Sequence, residues 1–93
     1  MNNLLEKIGK ETIKRILKKV FDIEDKDFYI GSERSDSLRI EINRGEYGIL
    51  DNYTFEEFKR QLHKYNLRIE EWSIYREELK ILIVFYIGEK KWV

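Results

Sequence analysis

The 93-residue sequence contains no cysteine and no proline, one histidine, one methionine and five dispersed glycines. Without cysteine there is no disulfide, no thiolate nucleophile and no cysteine-based zinc site. No Pro- or Gly-rich linker divides the chain, and no repeat or low-complexity tract appears. Eighteen basic and eighteen acidic side chains cancel to a net charge of zero. That balance argues against a surface that binds nucleic acid or membrane as a whole, and it removes one barrier to self-association. No stretch approaches the ~20 apolar residues that cross a bilayer. The first residues have no apolar core of signal-peptide type. A cytoplasmic protein is the expectation, in the host cytoplasm if the source is viral.

What is present points to a folded chain. Hydrophobic residues make up 42% and aromatic residues 14%, too apolar for disorder. Charged residues reach 39%, against ~25% in average proteins. The length fits one domain spanning residues 1–93.

Leu5, Ile8, Thr12, Ile16 and Val20 recur at helical spacing, with Leu4, Ile13 and Leu17 widening the stripe. They predict a helix from Asn3 to Phe21, with Asn3 and Glu6 spaced as a capping box. Phe28–Ile30 reads as a short strand and Gly31–Asp36 as a polar loop. Leu38, Ile40 and Ile42 alternate with polar residues, the mark of a strand with one wet face. A turn around Gly45 leads to a third strand at Tyr47–Leu50. Thr54 and Glu57 suggest a second capping box, with Tyr53 stapled to Phe58. The helix they open carries Phe55, Phe58, Leu62 and Tyr65 on one face and ends near Asn66, a residue suited to left-handed backbone. Leu67–Tyr75 is a fourth strand whose apolar phase switches between Ile69 and Trp72, which calls for a bulge near Glu70–Glu71. Leu79–Ile87 is a fifth strand, apolar on both faces, and so belongs in the middle of a sheet. The order α-β-β-β-α-β-β predicts an α+β fold, a mostly antiparallel sheet of about five strands packed by two helices. The pattern leaves open whether the helices share a face; if they do, the second face of the last strand needs a partner.

Sites for chemistry are scarce. His63 stands alone at the margin of a buried helix face, without a placed carboxylate or nucleophile, and reads as structural. The Asp22–Asp27 run resembles a calcium loop only superficially. Asp27 occupies the position of the turn glycine and Lys26 that of a ligand. Adjacent glutamate pairs at 56–57, 70–71 and 77–78 do not face each other across a cleft as glycosidase carboxylates must. No phosphate-binding glycine loop and no serine in a nucleophile elbow occurs. The expectation is a non-enzyme with no catalytic residue, metal or cofactor.

Two surfaces remain. Residues 1–20 hold six Lys or Arg against two Glu, a net of +4, whereas residues 22–36 hold six acids against two bases, a net of −4. Lys7, Lys10, Lys14 and Lys18, with Arg15 beside them, form a stripe that either contacts phosphates or is a solvated helix face. Tyr29, Tyr47, Trp72, Tyr75, Tyr86 and Trp92 lie on or near the strands. Aromatics of this kind either fill the core or form interface hot spots.

No family motif is present. In size, charge density and α-plus-antiparallel-sheet layout the chain is similar to many small phage and plasmid proteins, including anti-CRISPR inhibitors. The likeness is architectural and carries no site residues. It implies an inhibitor that blocks a larger protein or complex by surface contact. The sequence therefore predicts a non-catalytic protein-binding module, with a homodimer as one form. The alternative is a nucleic-acid binder using the first helix.

Overall fold

In the computed structural model, which describes residues 5, 8–34, 37–44, 50–78 and 80–90, the patterned segments become two α-helices and four antiparallel strands. Helix α1 is Lys10–Phe21, strand β1 Phe28–Arg34, strand β2 Ser37–Asn43, helix α2 Asn52–His63, strand β3 Leu67–Glu77 and strand β4 Lys80–Glu89. The class is α+β as expected, with four strands rather than five among the described residues. The expected strand at Tyr47–Leu50 lies almost wholly outside them, and Leu50 itself is not in a strand.

Helix α1 starts later than its apolar stripe suggests. Leu5 and Ile8 have helical backbone, but Gly9 sits at φ 91°, ψ 135° and interrupts the helix before Lys10. The proposed Asn3 cap lies outside the described residues. Beyond Gly9, Ile13, Ile16, Leu17 and Phe21 are buried on one face. Lys18 and Lys19 occupy the last turn, where the helix dipole favours cations. Asp22 then adopts left-handed backbone (φ 55°), and its N–H donates to the Lys18 carbonyl at 3.0 Å.

The second helix is capped differently from the expectation. Asp51, not Thr54, is the N-cap, its carboxylate accepting from the Thr54 N–H at 2.7 Å. Glu57 is therefore a mid-helix residue and pairs with Arg60 instead of closing a capping box. Tyr53 is 82% exposed, so no staple onto Phe58 forms. At the other end Asn66 has φ 59°, the left-handed backbone its type favours.

The sheet order is β1-β2-β4-β3. Strand β1 extends to Arg34, through most of the segment expected as a loop, and pairs with β2. The β3–β4 pairing continues to Glu77 and Lys80, so β3 runs two residues past Tyr75, and at its other end β4 continues to Glu89. The register with β4 shifts between Ile69 and Glu71, the bulge that the phase change required. Strand β4 lies between β2 and β3, which explains its continuous apolar character.

Both helices pack on the same face of this sheet. Leu38, Ile40 and Ile42 of β2 and Ile81, Ile83, Phe85 and Ile87 of β4 join α1 and α2 in one core. Phe85 anchors it, with its ring 4.9 Å from Phe58 and 6.1 Å from Phe21, and Phe21 lies 5.2 Å from Phe58 (centroid distances). Such edge-to-face contacts contribute beyond the area they bury.

Candidate functional site

With both helices on one side, the opposite face of the sheet carries no cover from the described residues. Side chains alternate across a strand, so the register assigns this open face. One row runs Tyr29, Glu41, Val84 and Ser73; a second runs Gly31, Arg39, Tyr86 and Glu71. A third places Asn43 beside Leu82 and Tyr75. The apolar line Leu82–Val84–Tyr86 is thus flanked by tyrosines of both edge strands. Tyr29 is 63% exposed and Tyr75 51%. Val84 in the middle of the line is only 1% exposed, and Leu82 and Tyr86 on either side of it are half-buried.

Polar contacts fix part of this face. The Arg39 guanidinium donates to the Tyr86 hydroxyl and lies 5.5 Å from the centroid of that ring. It also lies 3.4 Å from a Glu41 carboxylate oxygen. An aromatic held by an arginine loses little freedom on binding, which suits an interface anchor. At one end a shallow hollow of about 270 Å³ opens between Tyr29, Glu41, Asn43, Lys80 and Leu82. At the other, Glu70 of the bulge folds over Gly88, where an added Cβ would run into the Glu70 carboxylate.

The residues singled out from sequence fall in different places. Tyr75 and Tyr86 share the open face. Trp72 is 47% exposed but lies on the helix side, its ring 5.3 Å from Phe55 at the sheet's edge. Tyr29, one of the strand aromatics, and Leu82, on the second apolar face of the last strand, also fall on the open face; sequence inspection missed Arg39, which the alternation of β2 could have revealed. Lys7 and Trp92 lie outside the described residues.

The basic stripe of α1 does not stand alone. Lys18 meets Asp25 of the Asp25–Asp27 3-10 turn at 2.7 Å, and Lys14 lies 3.8 Å from Glu11. The Lys18 hydrogen bond holds the Asp25 carboxyl below its usual range, and the same bond raises Lys18. Lys10 and Arg15 are exposed on this helix.

His63 is exposed at the end of α2, with the Lys90 ammonium 3.3 Å from Nδ1 and 3.4 Å from Nε2. It lines a hollow of about 310 Å³ with Lys59, Leu67, Arg68 and Lys90. This lining offers cations and an apolar floor, with no carboxylate to pair with the imidazole for acid–base work. Among the described residues no group of three His, Asp or Glu is placed to hold a metal ion. No described helix is long and apolar enough to cross a membrane. In comparisons with known proteins, no family model, no curated protein and no solved structure matches the chain.

Proposed function

We propose that this chain is a non-catalytic protein-binding module that engages its partner through the open face of the sheet. The observation that carries this reading is the one-sided packing: two helices cover one face and leave Tyr29, Leu82, Tyr86 and Tyr75 on the other. The mix of tyrosine, aliphatic and arginine on that face matches the composition of interface centres. An inhibitor that occludes a larger protein is the form of this activity that fits a small domain whose described residues assemble no catalytic constellation.

Binding of nucleic acid through Lys10, Lys14, Arg15 and Lys18 is the second reading. Lys10 and Arg15 favour it, while the pairing of Lys18 with Asp25 and of Lys14 with Glu11 takes charge from the stripe.

One capture experiment separates the two. Tagged wild type is compared with a sheet-face variant (Tyr29→Ser, Leu82→Thr, Tyr75→Ser) and a helix variant (Lys10→Glu, Lys14→Glu, Lys18→Glu). Circular dichroism controls for folding. The partner is expected to survive the helix variant and to be lost with the sheet-face variant. Loss with the helix variant alone, or a nuclease-sensitive complex, overturns the proposal in favour of the second reading.

A further inference from the structure

The outer edge of β3 is a second surface that no described strand pairs with, and its sequence is complementary to itself. The strand ends the sheet order, with β4 as its hydrogen-bonded neighbour. At eleven residues it is the longest strand, and Leu67 alone is buried in it. From Glu71 to Glu77 its register with β4 runs without a break. Trp72 (47% exposed) and Ile74 (38%) lie on the helix side of this half, and Tyr75 lies on the open side. A long edge carrying exposed apolar side chains, with neither Pro nor Lys within it, is a template for strand addition.

We propose that β3 pairs antiparallel with β3 of a second copy of this chain, about a two-fold axis normal to the sheet at Ser73. Such an axis keeps the helix layers on one side and brings together residues that share a face. Ser73 then meets Ser73, Trp72 meets Ile74, and Glu71 meets Tyr75. The bulge removes Glu70 from the count, so Ile69 meets Arg76 and Arg68 meets Glu77. Each dimer gains two cross-strand Arg–Glu pairs and covers both half-exposed Trp72–Ile74 pairs. Neighbouring registers do less well. An axis at Ile74 sets Glu71 against Glu77. An axis at Trp72 sets Arg68 against Tyr75 and leaves Glu77 without an opposite charge. Zero net charge adds no overall repulsion between copies.

This inference rests on reading the chain as a protein that works by contact, but it uses a different surface from the open face. One edge buries less than the ~800 Å² per partner of a standard stable interface, so the dimer is concentration-dependent.

The cysteine-free background makes the test direct. Directly opposed residues in antiparallel strands have Cα atoms ~4.5–5.5 Å apart, within disulfide range. Ser73→Cys is expected to form an intermolecular disulfide on mild oxidation, faster than Trp72→Cys and than Tyr29→Cys on the opposite edge. Light scattering of wild type is expected to rise with concentration toward twice the 11.5 kDa of the chain. Ser73→Lys, which opposes two ammonium groups at the axis, is expected to abolish that rise with an unchanged circular dichroism spectrum. A wild type that stays at monomer mass at every concentration overturns the proposal, as does preferential crosslinking through Trp72→Cys or Tyr29→Cys. A monomer that still captures a partner through the open face sinks self-pairing alone. A dimer whose open-face variant captures as well as wild type sinks the open-face reading alone.

Discussion

Gly9 adopts φ 91° and ψ 135°, backbone that a side chain resists even though a Cβ there would meet nothing within 4 Å. Gly9→Ala is therefore expected to destabilise the fold by about 1–3 kcal/mol through backbone strain. Urea denaturation measures it, and an unchanged midpoint would show that the φ relaxes. Glu57 is held by two neighbours that favour its ionised form. Arg60 donates to its carboxylate at 2.9 and 2.6 Å, and Gln61 at 2.9 Å. These bonds, Arg60's first, lower its pKa from 4.5 to about 2. The unfolded chain thus binds the proton more readily than the folded one. Stability from this group is complete above pH 4.5 and is lost as pH falls toward about 2. Glu57→Gln is expected to flatten the fall in melting temperature across that window. An equally steep acid limb in the variant would assign acid sensitivity to other carboxylates. Arg44 joins two elements: its guanidinium donates to the Phe21 carbonyl at the end of α1 (3.0 Å) and sits 5.9 Å from the Phe21 ring. It complements the negative end of that helix, a role no local sequence pattern discloses.

Among the elements, β4 shows best what a sequence can and cannot disclose. Its apolar residues on both phases placed it in the sheet's centre, and the phase change from Ile69 to Trp72 located the bulge. Both signals arise within a strand, where side-chain period reads directly as facing. Which face the helices cover is set by packing between distant segments, so the sequence left two arrangements open and did not single out Arg39 as part of the open face. Helix starts were misread for a related reason. Thr54 and Glu57 have capping-box spacing, yet Asp51 is available one turn earlier and a carboxylate accepts the Thr54 N–H. Strand β4 supplies Ile81, Ile83, Phe85 and Ile87 to the core. Phe85 is fully buried against Phe58 and Phe21. Phe85→Ala is expected to cost about 3–5 kcal/mol by removing the ring and leaving a cavity between helices and sheet. Loss of cooperative thermal unfolding would report it. Tyr75→Ala, on the open face of β3, is expected to leave the melting temperature nearly unchanged. A large drop there would mean that Tyr75 is part of the fold's support and not a free contact group.

For the molecule as a whole, charge is segregated along the sequence and then brought back together in space. The positive first helix and the negative segment after it would make a strong dipole if they diverged. Instead, the chain turns at Asp22 and the Asp25–Asp27 turn returns to the helix, where Asp25 binds Lys18. A nucleic acid approaching this helix meets carboxylates within the same Debye length as the lysines. Phosphate binding releases counterions only where cations are unneutralised. Wild type is therefore expected to give no complex with duplex DNA in a low-salt gel shift. Asp25→Asn with Glu11→Gln is expected to produce one that dissolves as salt rises, because those changes free Lys18 and Lys14. A wild-type complex with a steep salt dependence would place function on the helix after all. No complex from either protein would show that even a freed stripe is too sparse to hold a phosphate backbone. In the expected outcome the acidic turn masks the only basic stripe the described helices present, and the open face and the β3 edge are the surfaces left to carry binding.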